Sequence, residues 1–402
     1  MNFFKSLIQP IIKDSPFRKS MVVLLVLIAF AAILATSTLD NMSGFAVTPE
    51  APEPEIEEVE ETPVEDMIAP EFEAPLFEEP AATYLMFPDT GIMTECPLTG
   101  LPMDTARAEN RPLAVVLGNC IDSLPMNGVY HADVIYELLV EGGITRMLAL
   151  FQDFSDVPMV GSIRSARHYT VEFAHSHDAL LIHAGGSRPY AYRTISELGI
   201  PSFDEVGGTH REIFFRDRGR VVSRRFDALH AVVTTNARVA YWLPQYNIPL
   251  QHTPDFEQGW IFSDDATPSG GSSATNAVVT FSGGKTTTFT FDASENGYRV
   301  SQFRRDFVDA NNGLQPLFTN VIVMRTAISP MPGDDAGRQN VVTVGEGEGY
   351  FINGGRSIPI LWSRADRESP FVFTNLDGST LELGRGSTYI CVVSTRSDVT
   401  IR

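Results

Sequence analysis

The sequence predicts an α/β or α+β domain with a mixed sheet, followed by a mainly β domain, behind an amino-terminal transmembrane helix and a disordered acidic stalk. Residues 21–39 are uncharged and apolar, and residues 40–93 are rich in Pro and Glu. Beyond them, strands that alternate with helices give way to strands alone. We therefore expect an α/β domain over 94–253, a linker over 254–275 and a β-rich domain over 276–402.

The apolar run "MVVLLVLIAFAAILATSTL" is long enough to cross a membrane once. A helix of this length reaches about 28 Å, close to the bilayer hydrocarbon thickness of about 30 Å. Residues 1–20 are basic, whereas no Lys or Arg follows the run before Arg107. The positive-inside rule therefore predicts a cytoplasmic amino terminus and extracytoplasmic folded domains. The alternative is a signal peptide cleaved near residues 35–37, and the long basic region favours the anchor.

The stretch 40–93 contains "TPEAPEPEIEEVEETPVEDMIAPEFEAPLFEEPAA", which has no cation. Such a segment repels itself and cannot bury enough apolar surface to offset its ordering entropy, so we expect a disordered spacer. The formal net charge of -20 arises largely there and says little about the folded part. A pI near 4.8 and the lack of a basic stripe with aromatics exclude a nucleic-acid partner.

The spacing of cysteine, histidine, glycine and serine residues disfavours several other kinds of site. Cys96, Cys120 and Cys391 are too few and too scattered for a disulfide framework or a zinc site, although a single Cys96–Cys120 bridge stays open. No His-Glu-x-x-His motif or similar ligand spacing occurs, so we expect no metal and no cofactor. A Gly-x-Ser-x-Gly elbow is also missing, and "GGKTTT" in the β-rich half predicts a hairpin turn.

Short runs rich in Val, Leu and Ile predict four buried strands in the α/β domain: "RPLAVVLGN", "DVIYELLV", "RMLALFQD" and "ALLIHAGG". Helical spacing predicts helices around residues 166–177, in "PYAYRTISELG", and over 236–246 with Thr234 or Thr235 as cap. The β-rich half contains further strand-like runs: "AVVTFSGGKTTTFTFD", "YRVSQFRRD", "NVIVMRTAI", "QNVVTVGEGEGYFING" and "TYICVVST".

Several ordered blocks resemble the YerB-like bacterial lipoproteins, a family built on a domain of unknown function. In the α/β part these are "CPLTGLP", "RPLAVVLGN", "ADVIYELLVEGGITRMLALFQ", "VGSIRSARHY", "LIHAGGS" and "FFRDRGR", and in the β-rich part "NVIVM", "GEGEGYFINGG" and "LDGSTLELGRGSTYICVV". The resemblance implies an extracytoplasmic, membrane-attached, two-domain protein. It implies no reaction. This chain has an apolar run where the family has a lipid-modified cysteine.

Two glycine-marked turns contain the candidate ligand-binding residues. In "VGSIRSARHYT" we expect Arg164 and Arg167 in the first turn of a helix, where an anion would compensate the macrodipole. In "HAGGSRPYAYR" we expect the same arrangement, with Gly185 and Gly186 at the turn, Ser187 as cap and Arg188 opening the helix. Both turns would open on one edge of a parallel sheet. Structural ion pairing of these arginines is the alternative.

Three further positions are candidates for proton transfer. Glu141 follows a strand, on the same face as Glu137, and paired carboxylates act as acid and base in carbohydrate cleavage; neutralisation of Arg146 or Arg164 is the plainer interpretation. His183 ends a strand just before the glycine pair, so its tunable pKa suits a site role.

The block "FFRDRGR" contributes Arg216 as a further ligand-binding candidate and Asp217 as a third catalytic candidate. Asp217 could orient the imidazole of His183 or of His230.

The leading hypothesis is an anionic cell-envelope ligand bound by Arg164, Arg167, Arg188 and Arg216. A competing one is an envelope hydrolase with Glu141 or His183 as general base and the arginines stabilising developing negative charge. A third is a scaffold that contacts a protein partner of unknown identity through the β-rich domain.

Overall fold

The computed structural model describes residues 89–220 and 227–402. The predicted basic segment 1–20, the anchor 21–39 and all but the end of the stalk lie outside the described residues. In the described part, no helix is long and apolar enough to cross a membrane. Residues 89–93, the end of the predicted stalk region, are folded, since Thr90 donates its backbone N–H group to Asp104.

The predicted strands and helices of the α/β half form where local patterning places them. Its strands are β1 (Met93–Glu95), β2 (Pro102–Asp104), β3 (Leu113–Asn119), β4 (Val134–Leu139), β5 (Thr145–Phe151), β6 (Met159–Gly161), β7 (Leu180–His183), β8 (Ser202–Asp204), β9 (Phe215–Arg216) and β10 (Val232–Thr235). Its helices are α1 (Thr105–Ala108), α2 (His168–His175), α3 (Tyr190–Leu198) and α4 (Asn236–Trp242). Short 3-10 turns cover Ile121–Ser123, Val129–His131, Glu141–Gly143, Arg211–Ile213, Arg218–Arg220, Asp227–His230 and Leu243–Tyr246. The hydroxyl of Thr235 caps α4 by accepting from the Arg238 N–H group, as the sequence predicts.

Beyond α4 the chain continues as strands, which confirms the predicted β-rich half. They are β11 (Ile261–Ser263), β12 (Ser272–Ser273), β13 (Asn276–Ser282), β14 (Lys285–Asp292), β15 (Gly297–Gln302), β16 (Arg305–Asp306), β17 (Leu317–Phe318), β18 (Asn320–Thr326), β19 (Ile328–Pro330), β20 (Gln339–Val341), β21 (Gly345–Asn353), β22 (Arg356–Arg364), β23 (Val372–Asn375), β24 (Glu382–Gly384), β25 (Thr388–Ser394) and β26 (Val399–Ile401). Ser282 pairs with Lys285 across the Gly283-Gly284 turn, so the predicted hairpin is confirmed.

One mixed sheet runs through both halves in the order β12-β22-β21-β18-β25-β4-β5-β3-β7-β8, with β23 also beside β22. The join is a parallel pairing of β25 with β4. The region predicted as a linker contributes strands too, because β11 pairs with β24 and β12 pairs with β22. Backbone hydrogen bonds therefore join strands of the two halves in one sheet.

Both faces of this sheet are covered, because successive side chains along a strand point to opposite faces. Ile135 packs into the core that includes Phe289 and Tyr298 from the strands β13–β15. Tyr136 packs instead with Phe173 of α2 and Ala191 of α3. Fully burying each large apolar side chain contributes about 1.5–3 kcal/mol, so the two cores hold the sheet rigidly.

The ends of several strands meet at one edge of the sheet. β3 is parallel to β7, β7 is parallel to β8, and both β3 and β4 are antiparallel to β5. At this edge β3 and β7 diverge, and residues 162–166, which we call the inserted segment, lie between them. The Arg164 N–H group donates to the Val116 carbonyl at 2.8 Å, and the Arg164 carbonyl accepts from the Ala184 N–H group at 3.1 Å.

Candidate functional site

Four arginines converge with two carboxylates at the edge where the inserted segment lies. We call the group the guanidinium cluster; its members are Arg146, Arg164, Arg167, Arg216, Glu141 and Glu205. Arg146 is the second residue of β5. Arg164 belongs to the inserted segment, Arg167 follows that segment, and Glu205 follows β8. The cluster has two more positive than negative groups, in a chain whose formal net charge is -20.

Glu141 is held by two of these arginines. Arg167 donates from Nε to Glu141 Oε2 at 3.0 Å and from Nη2 to Oε1, and Arg146 Nη2 lies 3.7 Å from Oε1. Burial alone would raise the pKa of Glu141, but the hydrogen bonds and charge of Arg167, together with Arg146, lower it. Glu141 is therefore ionised and serves as a counter-ion at neutral pH.

The buried guanidinium groups repel one another. Burial lowers the pKa of Arg146 to about 9, and the charges of Arg167 and Arg164 act in the same direction. Burial likewise lowers the pKa of Arg164, and so do the charges of Arg167 and Arg216. Among the residues whose side chains the structure describes, Glu141 is the carboxylate that pairs with the inner arginines Arg146 and Arg167. An added anion would therefore find complementary charge here.

Arg164 lies across β3 because Gly118 leaves room for it. A Cβ atom at position 118 would lie 2.9 Å from Arg164 Cγ, closer than real Cβ atoms approach. Arg164 Nη1 donates to the Leu229 carbonyl at 2.7 Å. On the outer side, Arg216 is paired with both oxygens of Glu205 through Nη2 at 3.1 Å, and 47% of its side chain is exposed.

A polar turn formed by residues 183–187 adjoins the cluster. The Gly185 carbonyl accepts from His183 Nδ1 at 2.7 Å and from the Ala166 N–H group at 2.9 Å. The Ala166 carbonyl accepts from Arg167 Nη1 at 3.0 Å and from the Ser187 N–H group at 3.1 Å. A single carbonyl oxygen therefore separates the Arg167 guanidinium from Ser187.

Asp204 fixes the other side of this turn. Its Oδ1 accepts from the Gly185 N–H group at 2.6 Å and lies 3.8 Å from His183 Nδ1, while Oδ2 accepts from the Tyr192 hydroxyl at 2.8 Å. Burial lowers the pKa of His183 more than the charge of Asp204 raises it, so the imidazole is neutral at pH 7. Among the described residues, His183 Nε2 and Ser187 Oγ are buried without a hydrogen-bond partner.

The two turns come together in a different way from the one the sequence predicts. Arg164 is not in a helix: α2 begins at His168, with Arg167 as its N-cap, because the inserted segment pairs with β3 and stays extended. Ser187 is not a cap either, since Pro189 occupies the N-cap of α3 and Arg188 lies outside the helix. Arg188 is exposed, with its guanidinium carbon 5.0 Å from the Tyr192 ring centre.

Two glycines in the turn at 183–187 let its backbone pack closely against neighbouring residues. Gly185 adopts a φ of 77°, a left-handed conformation that favours glycine. A Cβ atom at Gly186 would lie 3.2 Å from atoms of Ala191 and Tyr192.

Asp217 does not meet His183. It follows β9 and accepts from the Gly219 N–H group at 2.8 Å, and the carboxylate beside His183 is Asp204 instead. His230 lies with Nδ1 3.4 Å from Ser162 Oγ, and its carbonyl accepts from Arg220 Nε at 3.2 Å. It therefore adjoins the first residue of the inserted segment, whereas the polar turn bonds with the last residue, Ala166.

Glu137 and Glu141 are not a carboxylate pair. Glu137 is fully buried and pairs with Lys285 at 2.8 Å, whereas Glu141 belongs to the guanidinium cluster. The three cysteines are free thiols, so the Cys96–Cys120 bridge is not formed. Within residues 89–220 and 227–402, no group of three or more His, Cys, Asp or Glu side chains could hold a metal ion.

Sequence reasoning missed Asp204 and Glu205, and it considered Arg146 only as an ion partner of Glu141, a contact that the structure shows at 3.7 Å. Arg146 is the second residue of a buried strand, and a buried arginine there has no local signature. Asp204 ends the three-residue strand β8 and Glu205 follows it, in "SFDEVGG". A carboxylate pair before two glycines was a usable signal, but the strand is too short for its alternation to be recognised.

The fold and site define a two-domain, sheet-rich protein whose mixed sheet presents an arginine-rich edge. Comparison with known proteins places the chain in a family: residues 98–240 match the N-terminal domain and residues 277–390 the C-terminal domain described as "Protein of unknown function (DUF3048)". The chain belongs to the DUF3048 family.

Relatives agree with this assignment. The chain is 27% identical over 309 residues to the Bacillus subtilis (strain 168) protein named "Putative lipoprotein YerB". The alignment covers 76% of this chain and 88% of the relative. The crystal structure of YerB protein from Bacillus subtilis superposes with a TM-score of 0.65 at 23% identity, over 76% of this chain and 99% of that one. The YerB-like resemblance is thereby confirmed, and the structural match shows that the fold is shared.

Proposed function

We propose that this protein is attached to the membrane, faces the outside of the cell and binds an anionic cell-envelope ligand through the guanidinium cluster. The observation that carries the proposal is the excess, among the described residues, of three inner guanidinium groups over the one carboxylate that pairs with them. The guanidinium groups are those of Arg146, Arg164 and Arg167, and the carboxylate is Glu141. The location is supported by the apolar run at 21–39 and by the word lipoprotein in the name of the Bacillus subtilis relative.

The electrostatics favour an anion. Arg146 and Arg164 have pKa values lowered by burial and by neighbouring cations, which means that their charged forms are less favourable here than in water. A phosphate, sulfate or carboxylate would offset this repulsion and could accept charge-assisted hydrogen bonds from the guanidinium groups. Arg188 and Arg216, which are exposed, would meet such a ligand first.

Hydrolysis with Glu141 as the general base is disfavoured by the state of that carboxylate. A general base needs a pKa near the working pH and a free lone pair, whereas Glu141 has a lowered pKa and is bound by Arg167. Its arrangement suits a residue that positions arginines for a ligand.

Calorimetric titration and thermal unfolding of the full-length protein would test the proposal, with phosphate, sulfate and peptidoglycan fragments as probes. At 100 times its dissociation constant, a bound ligand should add about 2.7 kcal/mol to the free energy of unfolding. The Arg164→Ala/Arg216→Ala double variant should lose this effect. Arg299→Ala, which removes a partly exposed ion pair with Asp292 in the β-rich half, should retain it.

Two results would count against the proposal. One is the absence of any probe-induced stabilisation in the wild-type protein. The other is an equal stabilisation in the double variant, which would place anion binding elsewhere.

A further inference from the structure

Two polar atoms beside the guanidinium cluster lack the hydrogen bonds that buried polar atoms normally make. His183 is 0% exposed and Ser187 is 3% exposed, and neither His183 Nε2 nor Ser187 Oγ has a partner among the described residues. Buried side-chain polar groups are nearly always paired with protein, water or ligand. These two atoms are therefore available to bond with a water molecule or with a polar group of a ligand.

The hydrogen bonds already made determine what these two atoms can accept. His183 Nδ1 lies 2.7 Å from the Gly185 carbonyl, which can only accept, so the ring proton is on Nδ1 and Nε2 presents a lone pair. Ser187 Oγ carries a hydroxyl proton that it can donate. The turn thus offers one acceptor and one donor.

A hydroxyl group has the two functions that complement these atoms. It can donate its proton to His183 Nε2 and accept the proton of Ser187 Oγ on its oxygen. A fully ionised phosphate or carboxylate cannot do this, since it has no proton to donate to the imidazole.

The turn is joined to the cluster through one oxygen atom. The Ala166 carbonyl accepts from both Arg167 Nη1 and the Ser187 N–H group, at 3.0 and 3.1 Å. We infer that the ligand carries a hydroxyl group close to its anionic group, with the anion on the arginines and the hydroxyl on His183 and Ser187. This inference rests on the proposed function and narrows the ligand to a hydroxylated anion, such as a polyol phosphate or a sugar acid.

Two phosphate monoesters of similar size isolate the contribution of the hydroxyl group. We would titrate the full-length protein with propyl phosphate and with glycerol 3-phosphate by calorimetry. Glycerol 3-phosphate should bind about tenfold more tightly, the effect of one or two additional hydrogen bonds. Ser187→Ala should reduce this preference to about threefold or less, by removing one of those bonds.

The outcomes separate this inference from the proposed function. Equal affinity of the two esters overturns the hydroxyl site and leaves anion binding intact. Failure of both esters to bind removes support from both proposals. A preference that survives unchanged in Ser187→Ala and in His183→Phe overturns the assignment to these residues.

A stability measurement without ligand gives an independent control. Ser176 is as buried as Ser187, at 1% exposure, but its hydroxyl donates to the Phe173 carbonyl at 2.8 Å. Ser176→Ala should lower the melting temperature, because it leaves that carbonyl unpaired. Ser187→Ala should leave the melting temperature unchanged or raise it. An equal loss in both variants would show that Ser187 already has a partner, and would overturn the inference.

Discussion

The buried ion pair between Glu137 and Lys285 should be a principal link between the two halves. Glu137 lies on β4 and Lys285 opens β14, their charged atoms are 2.8 Å apart, and both side chains are at most 1% exposed. Lys285 also donates to Gln302 at 2.7 Å, and Tyr389 donates to Glu137 at 2.7 Å. Replacing Lys285 by Met would leave a buried carboxylate without its cation.

Breaking a buried ion pair on one side costs about 3–5 kcal/mol. Four neutral donors would remain on Glu137, which places the expected loss for Lys285→Met near the lower limit, about 3 kcal/mol. They are Asn119, Thr145, Thr287 and Tyr389. Guanidinium chloride unfolding, followed by tryptophan fluorescence, measures this difference.

The double variant distinguishes charge from packing. Glu137→Gln/Lys285→Met removes both charges and should recover most of the loss, to within about 1–2 kcal/mol of the wild type. A Lys285→Met variant within about 0.5 kcal/mol of the wild type would refute the reasoning. So would a double variant that is less stable than either single variant.

Three further predictions follow from the same contacts. Gly118→Ala should displace the Arg164 side chain, because the added Cβ atom would lie 2.9 Å from Arg164 Cγ. Phosphate affinity measured by calorimetry should then fall, while the far-ultraviolet circular dichroism spectrum should stay unchanged. Burial lowers the pKa of His177 from 6.5 to about 4, so the unfolded chain binds a proton in this pH range that the folded protein does not. About 3 kcal/mol of the free energy of unfolding should therefore be present above pH 6.5 and be lost as the pH falls towards 4. His177→Gln should flatten this part of the curve of unfolding free energy against pH. Lys285 is the only lysine after Lys19, and its side chain is buried, so an amine-acylating reagent should modify it only when the protein unfolds locally or globally. Peptide mass spectrometry measures this modification, and rapid labelling of Lys285 in the native protein would contradict its burial.

Most of the elements could be predicted because their signals are local. Runs such as "RMLALFQD" are short, apolar and bounded by polar residues, and they form β5 and its neighbours. The cap at Thr235 and the Gly283-Gly284 turn follow from the chemistry of a few adjacent residues. These features need no knowledge of the rest of the chain.

The pairing of the halves could not be predicted, because it joins residues that are far apart in the sequence. Tyr389 and Glu137 are separated by 252 positions, yet they share a hydrogen bond across the β25–β4 pairing. A buried lysine after a glycine turn looks like an ordinary exposed hairpin residue. The sequence did contain one signal, because Lys285 is the only lysine after Lys19.

The candidate site was predictable in its residues and not in its geometry. Glycine-marked turns at Gly161 and Gly185 indicated where Arg164 and Ser187 would lie, but helix ends were expected to bring them together. The structure uses backbone pairing of the inserted segment with β3 and with the turn at 183–187 instead. Arg146 and Asp204 join the site through sheet registers that a single sequence does not reveal.

The most direct test of anion binding by the guanidinium cluster is a crystal of the protein soaked in selenate, whose selenium atom can be located by anomalous scattering. The account predicts a selenate peak within hydrogen-bonding distance of the Arg164 and Arg167 guanidinium groups. Selenate bound only at other surfaces, with none at the guanidinium cluster, would contradict it.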